Sequence, residues 1–149
     1  MLSETEANLS PNIGSVESTS PLTTGAIFNF TGHIKFSIIG LVETVIQAQA
    51  TTVKLSVVCD ALAAYDICAT LDINGFVAGS LLGIDGTPGD AMEGVSGVGV
   101  IAPAESALVE AECITSGQIT VTFGAASTGA IKWDIKWFAQ GPEGNVTPS

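Results

Sequence analysis

Residues 131–137 read IKWDIKW. Ile131, Trp133, Ile135 and Trp137 fall on one side of an extended chain, and Lys132, Asp134 and Lys136 on the other. Successive side chains of a strand point to opposite faces, so this period of two predicts a β-strand with one dry face and one wet face. A strand of that kind belongs to an antiparallel sheet packed on a core along one side. The two indoles and two isoleucines make it the expected core strand.

The same period recurs on both sides of it. Ile119, Val121 and Phe123 alternate with Gln118, Thr120 and Thr122, and the intervening GAASTG of 124–129 predicts a hairpin over 118–138. Upstream, Ile34, Phe36 and Ile38 alternate with Lys35 and Ser37, and Val53, Leu55 and Val57 with Lys54 and Ser56. Weaker patterns predict strands over 26–31, 41–49, 67–73, 78–84, 95–101 and 107–114. The stretch 41–50 also fits a helical face, but its β-branched residues favour strand. DALAAYD, 60–66, suggests a single helical turn. Asn74-Gly75, Asp85-Gly86 and Pro88-Gly89 are turn signals. These elements predict an all-β fold: an antiparallel sandwich or small barrel of about eight short strands, with an extended N-terminal arm.

Three segments follow from the patterning: an arm over 1–24, a body over 25–140 and a short polar tail over 141–149. The arm is rich in Ser, Thr, Asn, Glu and Pro and has no aromatic residue. Alone it could not bury enough surface to offset its ordering entropy. Besides Met1, its sizeable aliphatic residues are Leu2, Leu9, Ile13, Val16 and Leu22, spaced like pegs. They are the expected partner-binding residues, laid across a neighbouring subunit with main-chain pairing to its sheet edge. On this reading a chain starting at Gly25 would keep its stability.

Composition narrows the function. The 149 residues include 15 acids, four lysines, no arginine and one histidine, for a net charge of −11. Four of the acids, Glu4, Glu6, Glu17 and Glu143, lie outside 25–140; eleven acids against four lysines leave −7 on the body. Such a surface disfavours nucleic acid and anionic membranes, whose phosphates require cations. The N-terminal MLSETEANLSPN lacks the basic and apolar regions of a secretory signal. The most apolar stretch, 34–46, carries Lys35 and Glu43 and is too short to span a bilayer.

Catalytic groups are sparse, and no catalytic residue, cofactor or metal is expected. His33 has no nucleophile motif around it and reads as a surface or capping residue. Asp85, Asp90 and Glu93 sit in a turn without calcium-loop spacing. Glu110 and Glu112 share a strand face, which is most simply a wet one, while Glu105 stands nearby. Cys59, Cys68 and Cys113 contain no Cys-x-x-Cys and read as buried small residues, with a Cys59–Cys68 bridge as the alternative. Trp133 and Trp137 read as core, with a sugar-stacking platform as the alternative. Matches to the glycosylation pattern at Asn8, Asn29 and Asn145 carry little weight without a signal peptide.

Two groups of residues resemble known proteins: VETVIQAQATTVKL, CATLDING and GSLLGIDGTPGDAM within 42–92, and GQITVTFGAASTGAIKWDIKWFAQGPEGNV at 117–146. Together they resemble small structural proteins of tailed bacteriophages. The resemblance implies a non-enzymatic virion component, made in the host bacterial cytoplasm and acting by contact. A capsid decoration or cement protein would bind the major capsid protein, or another virion protein, in many copies or as a homo-oligomer, where weak contacts add through avidity. A tail or head–tail connection protein, or a receptor- or carbohydrate-binding β module on the virion surface, are the other readings.

Overall fold

The computed structural model describes residues 11–60, 62–84, 88–100, 111–113 and 115–149. Within them the chain forms twelve strands and no helix. They are β1 (Asn12–Ser18), β2 (Gly25–Thr31), β3 (Ile34–Thr44), β4 (Thr52–Cys59), β5 (Tyr65–Asp66), β6 (Leu71–Asp72), β7 (Leu81–Gly83), β8 (Glu93–Gly94), β9 (Ala111–Cys113), β10 (Gly117–Phe123), β11 (Ala130–Ala139) and β12 (Asn145–Pro148).

All strand pairs are antiparallel, and they make two sheets. Sheet one runs β1-β11-β3-β7-β8, with β9 also on β3; sheet two runs β12-β2-β10-β4-β5, with β6 also on β4. The sheets pack as an open sandwich. Their dry faces supply the core: Phe36, Ile38, Ile131 and Trp133 from sheet one meet Phe28, Phe30, Leu55 and Ile119 from sheet two. Alternation of apolar and polar residues puts these side chains inside, and their removal from water is the main stabilising term.

The IKWDIKW strand lies inside sheet one. Trp133 faces Val16 of β1 on one side and Gly40 of β3 on the other. The indole covers Gly40 so closely that an added Cβ would stand 2.7 Å from its Cζ3. Glycine is required there for space. On the β1 side, the indole Nε1–H donates to Ser18 Oγ at 3.0 Å, which satisfies the one polar atom of a buried ring.

Several expectations are corrected. β10 and β11 do not form a hairpin; they belong to opposite sheets. The 124–129 segment is a corner, and other segments hold its carbonyls: Thr51 Oγ1 donates to Ala125 O, Leu22 N–H to Ser127 O and Gln47 N–H to Thr128 O. Sheets stack about 10 Å apart, a distance six residues span easily. Alternation on both strands is preserved because their apolar faces meet across the core instead of side by side. The stretch 60–66 opens on one hydrogen-bonded turn, Leu62 N–H donating to Cys59 O at 3.2 Å, which no helix continues, and ends in β5. Strand structure in 41–49 stops at Thr44. The 141–149 tail is ordered by β12, which pairs with β2 from Asn145↔Thr31 to Pro148↔Phe28.

The described part of the arm, 11–24, is the largest correction. Residues 12–18 pair with β11 of the same chain over seven positions, and Leu22 is 0% exposed. A polar segment is held here because the edge of sheet one supplies main-chain partners for seven residues.

Candidate functional site

At one end of the sandwich the sheets part around a cavity of about 430 Å³. Phe36 and Ile38 of β3 line it from sheet one, Val57 of β4 from sheet two, and Ile67 from the segment just after β5. Ser37, Tyr65, Glu112 and both Cys59 and Cys113 add polar atoms. Its walls are thus mainly apolar with a few convergent polar groups, the usual composition of a small-molecule pocket.

The thiols are the distinctive groups. Cys113 is buried, and burial above all pushes its thiol from 9.0 up to about 12; the neighbouring Cys59 and then Glu112 push the same way. A thiol so raised is protonated at neutral pH and is a poor nucleophile. Glu112 Oε1 lies 2.5 Å from His33 Nε2, on the exposed side of β9. Beside the cavity, Asp66 of β5 accepts from Lys54 Nζ at 2.7 Å and from Ser56 Oγ at 2.6 Å. The Lys54 hydrogen bond, then that of Ser56, lowers the Asp66 carboxyl below its ordinary value.

The expected core residues Ile131, Trp133, Ile135 and Trp137 all lie buried between the sheets. With Trp133 1% and Trp137 8% exposed, neither indole offers a flat face to a sugar. Of the partner-binding set, Leu2 and Leu9 lie outside the described residues. Ile13 is 78% exposed on the outer face of β1, Val16 is half-buried against the core, and Leu22 belongs to the core itself. Ile13, Val16 and Leu22 therefore do not share one surface. Asp85, Glu105 and Glu110 also lie outside the described residues; Asp90 is exposed, and its backbone O accepts from Ala69 N–H. Among the described residues no three His, Cys, Asp or Glu side chains gather where they could hold a metal ion.

Sequence reasoning missed a second feature, an exposed apolar surface formed by two loops. Val77 on one loop and Val95, Val98 and Val100 on the other are exposed. The loops are tied together by Ser80 Oγ, which donates to Val77 O and accepts from Gly97 N–H, and by Ser96 Oγ, which accepts from Val77 N–H. The strand predicted over 95–101 is not formed among its described residues, 95–100, and Val98 and Val100, which its alternation would have put on one face, are both exposed. No described helix is long and apolar enough to cross a membrane.

No protein-family model matches the sequence, and no curated protein matches it. Among solved structures the chain is similar to a chain in the structure of infectious bursal disease virus, Gx strain, with a TM-score of 0.34 and 9% identity over 93% of this chain. The match spans 40% of the viral chain's length.

Proposed function

We propose that the chain is a non-enzymatic structural protein of a tailed-bacteriophage virion, which decorates the head shell in many copies. The observation that carries this reading is the resemblance of 42–92 and 117–146 to small virion proteins of that group. Those residues include β4 and β10 of sheet two and β11 of sheet one. The loop valines support it further: exposed apolar side chains on two loops tied together are a common mark of a contact site. The acidic surface suits a protein–protein contact better than a nucleic-acid one. The major capsid protein is the partner on this reading, and a tail or connector position is the runner-up.

Two measurements test it. Quantitative mass spectrometry of purified particles should find hundreds of copies per virion; a count of about a dozen moves the protein to the neck or tail. Co-sedimentation with undecorated heads should be strong for the natural chain and weak for Val98→Lys. Equal binding by the variant would remove the valine loops from the interface.

A further inference from the structure

Cys59 is the last residue of β4 in sheet two, and Cys113 is the last residue of β9 in sheet one. They are 54 positions apart in sequence, yet both line the cavity between the sheets. The topology explains why. Only three residues separate Cys113 from Gly117, and Gly117 is the register partner of Cys59. Strand β9 of sheet one thus ends at Cys113 only a few residues before the chain pairs with Cys59 in sheet two. The Asp60 N–H bond to Ser116 O, at 2.9 Å, pins the segment before β10 to the end of β4. Both cysteines line the same cavity. Cys68 is placed differently: it lies in the core, and its Sγ accepts from Leu55 N–H at 3.4 Å.

We propose that Cys59 and Cys113 are a disulfide site, closed by exchange with a low-molecular-weight disulfide such as oxidised glutathione, and that the bond joins the two sheets in the cavity wall. Cys59 is the more exposed of the two and reacts first. Its thiolate attacks one sulfur of the small disulfide; the S–S bond breaks, one small thiol leaves with a proton, and a mixed disulfide remains on Cys59. Cys113 then gives up its proton and attacks the Cys59 sulfur. The second small thiol leaves, and the Cys59–Cys113 bond forms. The two cysteines lose two electrons and two protons, and one small disulfide becomes two thiols. The raised Cys113 thiol makes closure the slower step. Pairing of Cys59 with Cys113 replaces the Cys59–Cys68 bridge that sequence spacing suggested.

The test is incubation of the full chain in a glutathione redox buffer, trapping by alkylation, and cleavage at acidic residues. Asp60 and Asp66 lie between Cys59 and Cys68, and Glu112 precedes Cys113, so the three cysteines separate cleanly. The expected product is a linked Cys59–Cys113 peptide pair with Cys68 still a thiol. A bridge across so long a loop should raise Tm by roughly 5–10 °C, reversibly with dithiothreitol. Cys68→Ser should keep that rise and Cys59→Ser should abolish it. A Cys59–Cys68 link overturns the proposal. So does a lasting mixed disulfide on Cys59, or an oxidised chain whose Tm has not moved.

Discussion

Strands β3, β4, β10 and β11 run 11, 8, 7 and 10 residues, whereas β5 to β9, between 65 and 113, run only two or three each. The two regions hold themselves together by different means. In the long strands, ladder hydrogen bonds and alternating side chains repeat the same contact many times. In the short-strand region, single buried anchors such as Ile73, Leu82 and Met92 fix the chain, and side-chain bonds finish the turns. Asp72 Oδ1 accepts from Asn74 N–H, and Ser80 Oγ bridges two loops. Loss of one contact is shared in the first region and local in the second.

The largest test removes a strand. A chain starting at Gly25 loses β1 and Leu22, and it leaves the Trp133 indole N–H without Ser18. Destabilisation on the order of 5 kcal/mol or more is expected, because a buried side chain, a ladder and a buried polar partner go together. Circular dichroism on heating would read it. An unchanged melt would return residues 12–24 to the role of a detachable arm.

Next come paired core truncations in the two regions. Trp133→Ala should cost roughly 3–5 kcal/mol and Leu82→Ala roughly 2–4 kcal/mol in urea unfolding. The sharper readout is hydrogen exchange. Leu82→Ala should speed exchange mainly within 65–100, while Trp133→Ala should speed it through both sheets. Identical patterns would merge the two regions into one cooperative unit.

A smaller effect concerns Cys113. Its folded thiol titrates near 12, against 9.0 ordinarily. Between those values the unfolded chain has lost a proton that the folded chain keeps, so the contribution to stability is complete below about pH 9 and lost as pH rises toward 12. Cys113→Ala should flatten the alkaline limb of a Tm-against-pH profile; an equally steep limb would assign it to other groups.

The smallest effect is at the surface. Asp66 is lowered by Lys54 and Ser56, so its contribution is present above 3.8 and disappears as pH falls through its folded value. The pair is solvent-exposed, and Lys54→Ala should cost under about 1 kcal/mol, less in high salt. A loss of several kcal/mol would mean that β5 depends on this contact.

The same contrast decides what was legible beforehand. Ile131 to Trp137 and Ile119 to Phe123 announce their strands because seven residues are enough for a period of two. Two-residue strands such as Tyr65–Asp66 have no period to read. Alternation also says which face is dry but not which sheet a strand joins, and so β10 and β11 looked like neighbours. Composition misjudged 11–24 for a related reason: polar residues pair as well as apolar ones along a sheet edge, and only Val16 and Leu22 show that they face inward. The placing of Cys59 and Cys113 at one cavity depends on two strand ends in different sheets, which no local spacing encodes.

One further consequence lies in the order of assembly. β10 is flanked by β2 and β4, and β11 by β1 and β3. Ser15 and its partner Asp134 are 119 positions apart. As the polypeptide leaves the ribosome, β1 to β4 therefore wait without their main partners until 117–139 has been synthesised. Such distant pairings slow folding and leave apolar strands open to the wrong neighbour meanwhile. The last long strands act as keystones, and the nascent chain is at its most aggregation-prone just before they emerge.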